Sequence, residues 1–279
     1  SFRCVADAVE DTTVSPRGAS EPPSETACNT QLCLKSATNM CPAGVAMASC
    51  TTDLSRAGVI DWAHFGSLNA SLRGPPWTEP LGEWHIVRKA SGPSQLVPRL
   101  RMPGCTTTSC DLNTTDLRTW PSQLGWPSDR AVFSWNDGAR TAVAPSTARA
   151  GVFSNVGIFE LTVPAPPAGH RRVLTLYLGL FNWRGDLPFV KQALLRVSAP
   201  GEATISQNIT HLDGNNNDIK NMAATIVFSK EITVSYELPH PDLVCNTAVG
   251  TGSATVWQHN LCSFVALQAA TLEEYHDAK

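Results

Sequence analysis

Short runs of β-branched and aromatic residues recur from residue 51 onward, separated by clusters of Gly, Pro, Asn and Asp. This spacing is typical of sandwiches and barrels, because each turn cluster ends one strand before the next begins. The clearest strand is residues 172–180, where Leu174, Leu176, Leu178 and Leu180 alternate with other residues. Side chains two apart share one face of a strand, so we expect the leucine face to line the core.

Nine further segments have the same character. They are residues 84–88, 96–102, 131–135, 152–163, 189–197, 203–207, 224–228, 232–238 and 264–269. Roughly ten strands fit two packed antiparallel sheets. Only residues 116–124 and 272–276 suit a short helix. The sequence therefore predicts an all-β fold, an antiparallel, jelly-roll-like β-sandwich over residues 51–272, followed by a C-terminal tail at 273–279.

Residues 1–50 differ from the rest of the chain. They hold five of the nine cysteines and a turn-rich stretch rich in Pro, Gly and Ser, with little periodicity. We predict a disulfide-rich, mostly irregular N-terminal arm. Its one extended candidate is residues 5–14, where Val5, Val9 and Val14 are the predicted assembly residues. A first residue other than Met, with no basic or apolar leader after it, indicates a signal peptide already removed.

The nine cysteines lie in three clusters without the CxxC or HxxxH spacing of a zinc site, so we predict disulfides and no metal. Within the sandwich we expect nearest neighbours to pair, namely Cys105 with Cys110 and Cys245 with Cys262. Connectivity within the arm is not deducible from sequence. Short loops would join Cys28 to Cys33 and Cys41 to Cys50, leaving Cys4 free or bridged to another chain. Disulfides favour an extracellular, secreted protein.

Charged residues make up only 16% of the chain, against roughly 25% in a typical soluble domain. Surface polarity must come largely from the 49 Ser and Thr residues, which suits a glycoprotein. Three sequons, at Asn69, Asn113 and Asn208, are predicted to carry covalent glycans. A net charge of -3 without any Lys/Arg run argues against nucleic-acid partners. No apolar stretch approaches the ~20 residues of a membrane span, so no membrane insertion is predicted.

Four phrases in order along the chain carry a resemblance to a known family. They are DWAHFG at 61–66, FSWNDG at 133–138, RVLTLYLGLFNWRG at 172–185 and VALQAATL at 265–272. Together they resemble a β-sandwich module of secreted bacterial proteins, often found beside glycoside hydrolases and galactose-binding-like in appearance. The resemblance implies a sandwich architecture more than an activity. More loosely, the chain is similar to glycosylated extracellular fibril subunits.

Catalytic motifs are hard to find. No GxSxG nucleophile elbow occurs. Asp61 and His64 are interpreted as structural partners that tie a strand end to a loop. Asp137, within Asn-Asp-Gly, is interpreted as a turn residue rather than a glycosidase carboxylate. Residues 213–218 are rich in Asn and Asp, and we expect a hairpin tip there rather than a calcium loop.

The eight tryptophans offer flat faces for sugar stacking or bulk for a core. Trp62 and Trp135 are predicted core residues, and Trp77, beside two prolines, is the better surface candidate for sugar. We therefore expect a non-enzymatic structural subunit of a secreted glycoprotein fibre or surface layer. It would assemble head-to-tail with itself through its arm, with no cofactor. The alternative is a non-catalytic carbohydrate-binding module that binds polysaccharide.

Overall fold

A computed structural model of the chain describes residues 30–41, 50–66, 86–90, 95–96, 99–101, 118–120, 131–139, 147–148, 151–154, 158–182, 192–210, 219–238 and 263–276. These residues form seventeen strands and no α-helix. The strands are β1 (Leu32–Asn39), β2 (Thr51–Asp53), β3 (Val59–Phe65), β4 (Ile86–Lys89), β5 (Arg99–Arg101), β6 (Arg118–Trp120), β7 (Val132–Ser134), β8 (Gly138–Ala139), β9 (Thr147–Ala148), β10 (Gly151–Ser154), β11 (Ile158–Val163), β12 (Arg172–Asn182), β13 (Gln192–Ser198), β14 (Ile205–Thr210), β15 (Ile219–Phe228), β16 (Ile232–Glu237) and β17 (Ser263–Glu274).

The strands build three sheets. A nine-stranded sheet runs in the order β1-β15-β12-β17-β3-β4-β8, with β10 paired to β17 and β6 paired to β10. A five-stranded sheet runs β14-β13-β16-β11-β5, and a three-stranded sheet runs β2-β7-β9. All pairings are antiparallel except β2 with β7. The all-β, antiparallel, sandwich-like architecture predicted from the sequence is confirmed.

The main core lies between the nine-stranded and five-stranded sheets. The four leucines of β12 are all buried in it, as their alternation predicted. Strands β11, β13 and β16 supply the facing side chains, such as Leu161, Leu195 and Val234. The Tyr236 hydroxyl donates to the Gly179 carbonyl at 3.1 Å, which links β16 to β12 across the core.

A second core covers the opposite face of the nine-stranded sheet. Tyr177 and Trp62 on that face are 4% and 0% exposed, because they pack against Phe133, Leu54 and the three-stranded sheet. The sequence predicted two packed sheets, whereas three are found, and the third covers the face of β12 that carries Tyr177. A strand buried on both faces loses the polar alternation that marks a single-sided strand.

Strand β17 contains a bulge, and it contributes side chains to the main core on both sides of that bulge. Tyr177 is level with Ala269 but Leu178 is level with Leu267, so Gln268 is the extra residue on β17. The extra residue reverses the side-chain parity, since a shift of one residue exchanges the two faces of a strand. Val265 and Leu267 before the bulge therefore share the main core with Ala270 and Leu272 after it.

Several local predictions are corrected by the structure. Residues 118–120 form β6 rather than a helix, and β17 runs to Glu274 where a terminal helix was one option. The hairpin tip expected at residues 213–218 lies outside the described residues; the strands on either side, β14 and β15, belong to different sheets. Strand β1 lies inside the segment assigned to the arm, yet it extends the nine-stranded sheet by pairing with β15.

Candidate functional site

Strand β14 is an outer strand of the five-stranded sheet. It pairs with β13 through six consecutive residues without a register shift. Its sequence, Ile-Ser-Gln-Asn-Ile-Thr, has no charge and no proline, and Ser206, Gln207 and Asn208 are exposed. An outer strand leaves backbone donors and acceptors on one side, which another extended segment can use. Strand β14 has no charged residue and no bulge, and its Asn208 carbonyl accepts from the Gln207 side chain at 2.9 Å, a local bond that an added strand would replace.

Strand β1 is an outer strand of the nine-stranded sheet, and it has the features that protect an edge. Its register with β15 shifts between Leu34 and Ser36, so Lys35 is the extra residue of a bulge. Lys35 is also exposed. Bulges and lysines on edge strands discourage edge-to-edge pairing. Strand β1 is therefore a poorer acceptor than β14.

The two edges lie on the same side of the sandwich. Lys220, in β15, donates to the Thr210 carbonyl of β14 at 2.5 Å. Lys230, just beyond β15, forms an ion pair with Glu202 at 2.8 Å, shortly before β14 begins. These contacts align β14 with β15, and β15 pairs directly with β1. We call this region, β1 and β14 with Lys220 and Lys230, the β1/β14 side.

The main core is incompletely covered at the β1/β14 side. Leu34 and Ala37 of β1 and Ile205 of β14 pack against the core but are only partly buried. Burial of apolar area is favourable at roughly 25 cal/mol per Å². An added strand with apolar side chains would gain that burial here.

Of the three sequons, Asn208 is in the described part of the chain. It lies on β14 opposite Leu194, and its side chain is exposed. Side chains of a strand stand roughly perpendicular to the sheet. A glycan on Asn208 would project from the outer face of the five-stranded sheet, away from the main core.

Three described cysteines, Cys33, Cys41 and Cys50, are disulfide-bonded. Cys41, just after β1, is bonded to Cys50, just before β2, with the Cα atoms 5.4 Å apart. Both cysteines are buried in the second core. Cys33, on β1, is also disulfide-bonded. The bond between Cys41 and Cys50 ties the end of β1 to the three-stranded sheet.

The buried aromatic cluster comprises Trp62, His64, Phe133, Trp135 and Tyr177. The ring centres of Trp62 and Trp135 are 5.7 Å apart, and those of His64 and Trp135 are 5.2 Å apart. The core assignment of the two tryptophans is confirmed, since both are buried. His64 is fully buried among these rings, so it has a structural setting rather than a solvent-facing one. The cluster offers no open face for a sugar ring.

The Asn-Asp-Gly turn closes over this cluster. Asp137 accepts from the Trp62 indole at 2.8 Å, and its carbonyl accepts from the Ala90 N–H at 2.8 Å. A Cβ on Gly138 would lie 2.9 Å from the Trp135 ring and 3.1 Å from Val87. Glycine is required here by close packing, and the structural interpretation of Asp137 accounts for both of its contacts.

A polar cluster lies at one end of the main core. Asp61 accepts from the Gln95 N–H at 2.7 Å, as expected for a residue that ties a strand end to a loop. Burial raises the pKa of Asp61. Hydrogen bonds and the charges of Lys89 and Arg88 oppose this shift but do not cancel it. The Gln95 amide oxygen accepts from Arg172 at 3.0 Å, and Arg172 forms an ion pair with Glu274 at 3.3 Å. Asp61, Gln95, Arg172 and Glu274 thus form one chain of contacts within the fold.

The remaining predicted site residues lie outside the described part of the chain. They are Cys4, Cys28, Cys105, Cys110, Cys245, Cys262, Asn69, Asn113, Val5, Val9, Val14 and Trp77. Among the described residues, no group of three His, Cys, Asp or Glu side chains is placed to hold a metal ion. The same residues include no helix long and apolar enough to cross a membrane.

Comparisons with known proteins give remote likenesses. No family model matches the chain, and no curated protein matches it. Solved structures similar to it include TmCBM61 in complex with β-1,4-galactotriose, at 15% identity and a TM-score of 0.28, over 64% of this chain and 88% of that one. The Stig cyclase Fisc from Fischerella sp. TAU is 14% identical, with a TM-score of 0.31, over 77% and 100% of the two chains.

The Cry4Aa toxin from Bacillus thuringiensis is a third similar structure, at 10% identity and a TM-score of 0.25. That match covers 46% of this chain and 19% of the toxin. The neighbours thus include a β-rich carbohydrate-binding module, but TM-scores this low do not establish a shared fold or function. The DWxHFG-type sequence pattern stays a resemblance.

Sequence reasoning missed the β1/β14 side. The segment that forms β14 was expected to end at residue 207, and β1 was not predicted. The uncharged run from Ser206 to Thr210 and the single Lys35 in an otherwise uncharged segment were the available signals. Which strands lie at an edge depends on sheet order, and sheet order joins segments distant in sequence.

Proposed function

We propose that the chain is a structural subunit of an extracellular glycoprotein fibre or surface layer. Each subunit adds a strand from its N-terminal arm to a sheet edge of the next subunit. The observation that supports this proposal best is the β1/β14 side, where two outer strands flank a partly covered core. Strand addition uses backbone hydrogen bonds for affinity and side-chain pockets for specificity.

The contact proposed is head-to-tail, so it repeats without closing and builds a filament. Each ladder hydrogen bond contributes about 1 kcal/mol net, and buried apolar area adds to that. Disulfides such as that between Cys41 and Cys50 suit an oxidising extracellular setting, where such bonds persist. The protein is proposed to act without catalysis or a cofactor.

The competing function is a non-catalytic carbohydrate-binding module. Its sugar-stacking platform would need exposed aromatic rings; in the described part of the chain the rings of the buried aromatic cluster face a core, and Trp77 lies outside that part. Size-exclusion chromatography and negative-stain imaging of the full chain separate the two functions. A fibre subunit elutes as large assemblies, while a monomer that binds polysaccharide would favour the module.

Paired variants of the full chain test the role of the arm. Val5→Asp with Val9→Asp places two charges on one face of the extended candidate, and Ala6→Asp with Ala8→Asp places two on the other. We expect the valine pair to abolish assembly and the alanine pair to affect it less, because only the valine face would be buried. Equal assembly by both variants would contradict the proposal.

A further inference from the structure

We infer that β14 is the acceptor edge, and that it receives residues 5–14 of a second copy of this chain. The inference rests on the proposed function and identifies the surface that it uses. Of the other outer strands described, β1 is bulged at Lys35, β2, β5 and β6 are three residues long, and β8 and β9 are two. Strand β14 combines six residues, a regular register and no charge. It is the longest regular edge in the described part of the chain.

Charge favours the arm as occupant. Residues 5–14 carry Asp7, Glu10 and Asp11 and no Lys or Arg. The β1/β14 side carries the exposed Lys35, together with Lys220 and Lys230 at the two ends of β15. Complementary potentials steer association and disfavour wrong partners. Lys230 is already paired with Glu202, so the cations that favour an acidic strand beside β14 are Lys35 and Lys220.

Apolar contacts favour the same occupant. Ile205 at the start of β14 is partly buried, as are Leu34 and Ala37 on β1. A strand that pairs with β14 has every second side chain on the core side. With Val5 and Val9 on that side, Asp7 and Asp11 lie on it as well, so the added strand brings two valines toward Leu34 and Ala37 and two carboxylates toward the lysines of the β1/β14 side. The opposite face, with Ala6, Ala8 and Glu10, then meets solvent.

The connection to the arm is long enough to reach another copy. The chain enters β1 at a fixed point, where the Gln31 carbonyl accepts from the Ser229 N–H at 3.0 Å. Fifteen residues, 15–29, separate that region from the donor segment, and fully extended they span at most about 50 Å. Pro16, Pro22 and Pro23 favour an extended spacer. A span of this length lets the donor segment reach the β14 edge of a neighbouring copy.

Hydrogen–deuterium exchange on the full chain tests the inference directly. Assembled and dissociated subunits are compared for the amides of residues 205–210 and of residues 32–39. We expect the β14 amides to exchange at least about tenfold more slowly in the assembly, because they gain ladder hydrogen bonds. Slowing confined to β1 would overturn the choice of edge while leaving the proposed function intact.

Two other outcomes of that experiment are decisive. Protection of β14 already present in dissociated subunits would show that the arm docks on its own sandwich, which overturns the inference. A wild-type chain that never assembles, at any concentration, would overturn the proposed function itself. The two failures are therefore distinguishable.

A matched pair of substitutions gives a second test. Gln207→Glu adds a negative charge to β14, and Thr38→Glu adds one to β1, at residues that are both exposed. We expect Gln207→Glu to raise the concentration needed for assembly by about tenfold, because it repels the acidic segment. Thr38→Glu should change that concentration less than about twofold. The reverse order would place the acceptor on β1.

Discussion

The indole N–H of Trp62 donates to the carboxylate of Asp137 at 2.8 Å, and so fastens the Asn-Asp-Gly turn onto the second core. Trp62 is fully buried, so its N–H has no access to water if this acceptor is lost. A buried donor left without a partner costs about 1–3 kcal/mol. The Asp137 carboxylate, which the sequence offered as a catalytic candidate, therefore has a structural role that can be measured.

We predict that Asp137→Ala lowers the free energy of unfolding by about 1–3 kcal/mol. Asp137→Asn keeps an oxygen acceptor at the same position and should lose less. Denaturant unfolding followed by tryptophan fluorescence measures both variants. Equal stability of the alanine variant and the wild type would show that the bond does not hold the turn.

A second prediction concerns the bond between the two main sheets. Tyr236→Phe removes the donor to the Gly179 carbonyl and should cost about 1 kcal/mol of unfolding free energy. Tyr275→Phe is the control, because the Tyr275 ring lies under Arg171 and the substitution keeps the ring. Thermal and denaturant unfolding compare them. A larger loss in the control would contradict the assigned role of Tyr236.

The pH dependence of stability tests the setting of Asp61. Because burial raises the pKa of Asp61, the folded state holds that proton more tightly than the unfolded state. The stability contributed is complete below the unfolded pKa and is lost as pH rises through the folded pKa. We expect the unfolding free energy of the wild type minus that of Asp61→Asn to fall from about pH 3 to about pH 7. A difference that rises over this range would refute the raised pKa.

Glycan occupancy at Asn208 is a fourth prediction. Thr210→Ala destroys the sequon, whereas Thr210→Ser preserves it. After expression in a eukaryotic secretory pathway, intact mass with and without glycosidase should show one glycan fewer in the alanine variant. The serine variant should match the wild type. Identical glycan mass in all three proteins would exclude Asn208 as an attachment site.

Local sequence patterns predicted where strands form better than they predicted what packs against each strand. The alternating leucines of β12 identified the strand and its core face, since that signal is contained in one segment. The burial of Tyr177 was not predictable. It depends on Phe133 and the three-stranded sheet, and the alternation within β12 carries no information about either. The bulge at Gln268 likewise breaks the alternation of β17, so its end was open to a helical interpretation.

The candidate site was predictable only in part. The sequon at Asn208 and the short loop between Cys41 and Cys50 are visible in the sequence as fixed spacings. Whether Asn208 lies on an outer strand depends on the order of the five-stranded sheet. Edge position arises from pairings between distant segments, so propensity at Ser206 or Gln207 could not reveal it.

The place of β17 has a consequence for synthesis. This strand is near the C-terminal end of the sequence, yet it lies between β12 and β3 in the middle of the nine-stranded sheet. Until its residues leave the ribosome, β3 and β12 have no partner on that side. Non-local pairing of this kind folds slowly and exposes unpaired strands to aggregation. The nine-stranded sheet is therefore completed only after residues 263–274 have been synthesised, and β3 and β12 stay open to wrong pairing until then.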